Sequence, residues 1–237
     1  MPTIYERVAV CSDTTWNALS SGEQEEYGLH YTTWADYLAS TKSDLVTINQ
    51  GCREVVIWCD ETMPLPRYNP TVAERGTEDE NNYNIFKAHT SARHNGSINA
   101  TGVIKFLGFG TYSNYTLWDG IVFDQSLNDV LTTIYFCDCL SKNQKFENCL
   151  FLNLASGTRL NTYGYFKNCL FYDFGVYITG TNAKFYNCGF YTRIAYTQQR
   201  LIYGGECYSC WAYSENRTGS YLDRKSTRLN SSHRIRS

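Results

Sequence analysis

Ten cysteines in 237 residues are the first feature of this chain that could do chemistry. A thiolate can hold zinc, exchange disulfides or act as a nucleophile, and each use needs its own spacing. Cys137-x-Cys139 and Cys207-x-x-Cys210 could each seed a metal site, but neither has a partner pair at metal-finger distance, so no metal site is expected. Cys149, Cys169, Cys188 and Cys210 instead form a series separated by 20, 19 and 22 residues. A free cysteine behaves as a small buried hydrophobe. The series therefore reads as a column of core positions, with metal binding and disulfides as the alternatives. The histidines are scattered: His30, His89 and His94 lie beside no serine or cysteine in a nucleophile motif, and His233 lies in the tail. Asp119, Asp124, Asp138 and Asp173 invite comparison with the paired carboxylates of glycoside hydrolysis, yet no paired motif is present. Asp173 occupies the slot held by Asn153 and Thr192 in neighbouring repeats, which suits a corner. Catalytic residues stay unknown, and no cofactor is implied.

The cysteines belong to a longer repeat. Phe146-Glu147-Asn148-Cys149-Leu150-Phe151 is followed by Phe166-Lys167-Asn168-Cys169-Leu170-Phe171 and Phe185-Tyr186-Asn187-Cys188-Gly189-Phe190. A looser copy is Cys207-Tyr208-Ser209-Cys210-Trp211-Ala212. A period near 20 is too short for a helical hairpin repeat of ~33 residues or more and fits one coil of a β-solenoid. Strict strand alternation would set Phe146 and Cys149 on opposite faces. A bend at the asparagine removes that conflict, because Asn tolerates the left-handed conformation that a tight corner requires. Phe146 then points inward, Asn148, Asn168, Asn187 and Ser209 stack as a polar ladder, and Cys149, Cys169, Cys188 and Cys210 stack inside, ~4.8 Å apart.

This F-x-N-C-x-F pattern over about 145–213 resembles right-handed parallel β-helix proteins of the pectin-lyase-like superfamily. The resemblance extends back to about Val55 through Val55–Trp58, Val103–Phe106 and Gly120–Phe123, with Ile134–Cys139 as a strand on another side of a coil. It implies an all-β fold: a single-stranded right-handed parallel β-helix with a small, partly helical N-terminal cap. The handedness comes from the resemblance and from the general rule for parallel crossovers. The superfamily's polygalacturonase motifs (Asn-Thr-Asp, paired Asp, Gly-His-Gly), its lyase pattern of calcium-binding Asp with a catalytic Arg, and its pectinesterase motifs are all missing here.

Stepping outward from the Phe positions, the register leaves Leu152, Tyr172, Tyr191 and Tyr213 facing solvent. Trp211 takes an outward slot in line with Leu150, Leu170 and Gly189. Tyrosines on a flat β face offer rings for sugars to stack on and hydroxyls to bond them. Packing against a neighbouring subunit or segment is the other use of such a surface.

Composition agrees with a β-rich chain: 16% is aromatic, including 20 Tyr, with only 4 Pro. The net charge of −2 gives no electrostatic case for a nucleic-acid partner. No apolar run approaches the ~18 residues of a membrane span. The N-terminus lacks the basic-then-apolar stretch of a secretory leader, which fits synthesis in the cytoplasm and virion assembly, or a leader lost upstream.

Residues Asp223–His233, DRKSTRLNSSH, match codon for codon the translation of a common sequencing-library adapter. The segment 223–237 is accordingly expected to be non-native and disordered, and the natural chain to continue past Leu222. That tail carries five of the 21 basic residues and one of the 23 acidic ones, so without it the formal charge moves from −2 to −6. The remaining organisation reads as a cap over 1–50, which an open solenoid end requires, and a β-helix over 51–222. A loop or insertion is expected at 64–100, where Pro64, Pro66, Pro70 and Thr77–Asn82 cluster. The expected function is a non-enzymatic structural and glycan-binding protein of the phage tail-spike, tail-fibre or microbial surface type, with polysaccharide as partner and a homotrimer as its assembly. The alternative is a polysaccharide lyase or glycoside hydrolase whose catalytic residues lie outside these repeats.

Overall fold

A computed structural model describes residues 2–40, 45–58, 79–97, 105–107, 115–124, 143–152, 159–161, 164–173, 177–179, 183–192, 202–203, 205–214 and 227–228. These residues are mostly strand, and their strands form three sheets in which the pairing is parallel throughout. The first sheet holds ten strands in the order Leu29–Tyr31, Ile4–Val10, Cys52–Ile57, Asn84–Ala88, Tyr115–Asp119, Asn143–Glu147, Tyr165–Lys167, Lys184–Tyr186, Glu206–Tyr208 and Thr227–Arg228. The second holds Lys105–Leu107, Val122–Asp124, Leu150–Leu152, Leu170–Tyr172, Gly189–Thr192 and Trp211–Ser214. The third holds Arg159–Asn161, Tyr177–Thr179 and Ile202–Tyr203. From Asn143 to Ser214 the chain visits the first, second and third sheets in rotation and returns to the first one rung further along. The fold is thus all-β with stacked parallel sheets, compatible with a parallel β-helix.

The repeat explains why the rungs align. Phe146 pairs in register with Phe166, and Phe166 with Phe185. Their rings stack with centroids 4.9 and 5.0 Å apart. Across the corner Phe123, Phe151, Phe171 and Phe190 stack at 5.1, 4.6 and 4.9 Å. Within each coil the two rings meet edge to face at 5.5 to 5.7 Å, the geometry aromatic quadrupoles favour. One core runs through these columns and on to Trp118, Phe86, Val55 and Val8. Two residues before each of these core positions the same sheet carries polar groups: half-buried Glu6 and buried Arg53, Asn84, Thr116 and Gln144. Arg53 pairs with Glu6 at 2.5 Å and reaches Asn84 Oδ1, so the buried guanidinium is neutralised rather than left alone.

The N-terminal 50 residues are partly helical, but they also extend the first sheet. Ile4–Val10 pairs with Cys52–Ile57, and Leu29–Tyr31 forms the sheet edge. Short helices fill the connections, and three of them are started by a side-chain cap: Ser12 for Asp13–Ala18, a Ser20/Glu23 capping box for Ser21–Glu25, and Thr33 for Trp34–Ala39. The helix Trp34–Ala39 inserts Trp34 and Tyr37, one turn apart, against Phe86. The first sheet thus has strands on both sides of residue 50.

Two further stretches carry strands. The stretch 64–100 contains the strand Asn84–Ala88, where Ile85 and Lys87 alternate with Phe86 and Ala88; only 79–97 of it is described. Of the tail 223–237 only Thr227–Arg228 are described, and they pair with Cys207–Tyr208. The unpaired N–H and C=O groups of an edge strand accept any extended segment regardless of its origin. The strand expected at Ile134–Cys139 lies outside the described residues.

Candidate functional site

The corner between the first and second sheets is built from left-handed residues. Gly120, Asn148, Asn168, Asn187 and Ser209 have φ of 75°, 53°, 54°, 52° and 53°. Each asparagine donates from Nδ2 to the side-chain oxygen one coil earlier: Asn187 to Asn168 at 2.9 Å and Asn168 to Asn148 at 3.2 Å. At Gly120 the amide row runs out, and Asn148 donates instead to Asp119 Oδ1 at 2.7 Å. Arg93 pairs with that same carboxylate oxygen. A Cβ on Gly120 would lie 2.8 Å from Arg93 Cγ, so the glycine serves both the left-handed φ and the arginine packed over it.

His94 closes this corner. Its Nε2 meets the Asn148 carbonyl oxygen, and its Nδ1 accepts from the Gly96 amide at 3.2 Å. Burial pushes its pKa below the ordinary imidazole value. With one ring nitrogen donating and the other accepting, His94 is a neutral clamp. His89 stacks on Trp58 at 4.4 Å, and His30 stacks on Trp16 at 4.5 Å while bonding the Cys11 carbonyl. The three histidines hold loops to the sheet at separate places and do not converge. Asp173 takes a left-handed φ of 53° and is buried, in keeping with a corner role.

Cys149, Cys169, Cys188 and Cys210 are all buried on the inner side of the Asn corner, with thiols directed at backbone carbonyls of their own and the preceding coil. Burial raises the pKa of Cys169 and Cys188 well above that of a free thiol, so neither is a standing nucleophile. Among the described residues no group of three or more His, Cys, Asp or Glu is arranged to hold a metal ion. No helix there is long and apolar enough to cross a membrane.

The outward tyrosines form a column on the second sheet. Tyr172 pairs in register with Tyr191, and Tyr191 with Tyr213. Their rings stack at 4.8 and 5.6 Å, each pair 14° from parallel. Leu152, which the register also sets outward, is buried with Val122, Leu150 and Leu170. The open part of the column is at its far end, where Tyr213 is 50% exposed and Trp211 46%. The Trp211 indole lies over Gly189: a Cβ there would come within 2.4 Å of the indole. Glycine at 189, where the earlier coils have leucine, is what lets the indole lie flat on the sheet.

A second aromatic row escaped the sequence reading. On the outer face of the first sheet Tyr165, Tyr186 and Tyr208 stack at 4.9 and 4.6 Å. Around them stand exposed Lys167, Lys184 and Glu206, with Lys184 within 3.7 Å of Glu206 and Tyr208 donating to Glu206 at 2.6 Å. Its signal was present in the x of F-x-N-C and in the residue before each Phe, both of which must point away from a buried ring. The two rows flank the Asn corner on adjoining faces, so each coil from Tyr165 onward presents stacked rings on both sides of one edge, with charges on the first-sheet side alone among the described residues. Comparison of the chain with protein-family models, curated proteins and solved structures finds no match.

Proposed function

We propose that this chain is a non-enzymatic, right-handed parallel β-helix of the pectin-lyase-like type. It binds polysaccharide on its tyrosine-lined exterior and plays a structural part of the phage tail-spike, tail-fibre or microbial surface kind, assembled as a homotrimer. One observation carries the reading: the Tyr172–Tyr191–Tyr213 column ending in exposed Trp211 and Tyr213. Amphipathic rings in a straight row suit a linear chain of sugars, each with an apolar face and polar rim.

The stacking also fixes how such a ligand would approach. Rings within the column turn their faces to one another, so Tyr172 and Tyr191 offer edges. Only the far end offers broad aromatic surface. Titrating the purified chain with acidic and neutral polysaccharides, followed by the fluorescence of exposed Trp211, tests this. Trp211→Ala or Tyr213→Ala is expected to weaken binding about three- to tenfold and Tyr172→Ala less, a stacking contact being worth roughly 0.5–1.5 kcal/mol. Silence across the panel removes the glycan reading. Release of new reducing or unsaturated ends would replace it with a polysaccharide lyase or hydrolase.

A further inference from the structure

The fourth coil breaks the pattern of the other three. Where Phe146, Phe166 and Phe185 stack, the next position in register is Cys207. It is buried, and so is Cys210 on the other side of the corner. The chain bends between them at Ser209, whose φ of 53° marks the corner between a first-sheet and a second-sheet strand, and both cysteines lie in the same core. In the three preceding coils a benzyl ring occupies that space beside the ladder thiol; here two thiols share it. Cys207 is pushed above the ordinary thiol pKa by its hydrogen bond to Cys210, while Cys210 is pulled below it by its contacts with Cys188 and Cys207. The Cys188 amide also lies 3.4 Å from the Cys210 sulfur. The ladder cysteines themselves are poor candidates for bonding to one another. Parallel rungs are ~4.8 Å apart with side chains side by side, whereas a disulfide wants Cβ atoms ~3.8 Å apart with converging vectors.

We propose that Cys207 and Cys210 are a modification site, a dithiol that closes to a reversible intrachain disulfide across the Ser209 corner. The oxidant is a low-molecular-weight disulfide. One thiolate attacks it, forming a mixed disulfide and releasing one thiol; the second cysteine then attacks the protein sulfur and releases the other. Two protons and two electrons pass from the cysteine pair to the two released thiols. Both cysteines are buried, so exchange requires the last coil to open. That coil is held on its outer side by the two-residue pairing of Thr227–Arg228 with Cys207–Tyr208.

The test uses the full chain, purified reduced, incubated with oxidised glutathione, then denatured, alkylated and mapped by peptide mass. The expected result is loss of two hydrogens on a peptide linking Cys207 to Cys210, with Cys149 and Cys169 alkylated. Cys207→Phe, which restores the aromatic column, should keep the fold and abolish the link. Cys207→Ser should abolish it without filling the space. Full alkylation of both cysteines after oxidation of the folded chain overturns the proposal, as does a Cys188–Cys210 link or a glutathione adduct that never resolves.

Discussion

At Asn168 three requirements meet in one side chain. It sits at φ 54°, donates to Asn148 and accepts from Asn187. Asn168→Ala loses both hydrogen bonds and forces a Cβ-bearing residue into the left-handed region without the local bonding Asn provides. The expected cost is about 1–3 kcal/mol, read from the denaturant midpoint. Asn168→Gly relaxes the backbone and loses only the bonds, so it should cost less than alanine; the reverse order would mean that backbone conformation is not what selects Asn here. His94 makes a pH-dependent contribution. Burial keeps it neutral in the folded chain between Arg93, Asp119 and the Asn148 carbonyl, while in the unfolded chain it titrates near its ordinary 6.5. Below that value the unfolded chain takes up a proton that the folded one resists, so this stability is present above about pH 6.5 and declines as the pH falls. Thermal melts of wild type and His94→Gln between pH 5 and 8 should converge on the acid side. The corner asparagines could be read from sequence because one residue type recurred at one spacing. His94 could not, because its partner is 54 positions away and nothing local marks the pairing.

At the scale of the strand, the repeated Phe is the unit of cohesion. Phe166 is buried between Phe146 and Phe185 and touches Phe151 and Phe171 edge to face. Phe166→Ala removes a ring from the middle of two columns and is expected to cost about 3–5 kcal/mol. Phe166→Leu should recover more than half of that in the same denaturant titration. The strands around these rings were legible because a buried ring repeats every 19 or 20 positions. Asn84–Ala88 was not. It lacks the F-x-N-C tag, and nearby proline and acidic residues suggested a loop, although Phe86 stacks on Trp118 at 4.4 Å. The parallel pairing of Ile4–Val10 with Cys52–Ile57 was equally hidden: a parallel partner is separated by a crossover, so neither strand announces the other.

Across the whole molecule the contacts are successive, each rung resting on its neighbours along the sheet. Stability in such arrays is a sum of rung and interface terms, and the ends open first. Amide hydrogen exchange should therefore be slowest near Phe146 and Phe166 and faster toward Leu29–Tyr31 and Thr227–Arg228, the outer strands of the first sheet; uniform protection would indicate a single cooperative unit. The columns that determine the architecture were visible in the sequence because repetition multiplies a weak local signal. The candidate surface was visible only in part. Register sets which way Tyr172, Tyr191 and Tyr213 point, but not that their faces are turned on each other or that Leu152 is covered.

The amide row at the corner has a polarity imposed from one end. A carboxylate can only accept, so Asp119 obliges Asn148 to turn its NH2 toward it, which leaves the Asn148 oxygen facing Asn168, and the same choice propagates to Asn187. Without that acid the row could point either way, since an amide flipped end for end bonds equally well. Asp119→Asn would leave two opposite senses of nearly equal energy, and the side-chain amide resonances of Asn148, Asn168 and Asn187 should then double together. A single charge at one end thus acts as the boundary condition that selects one of two opposite orders along the corner.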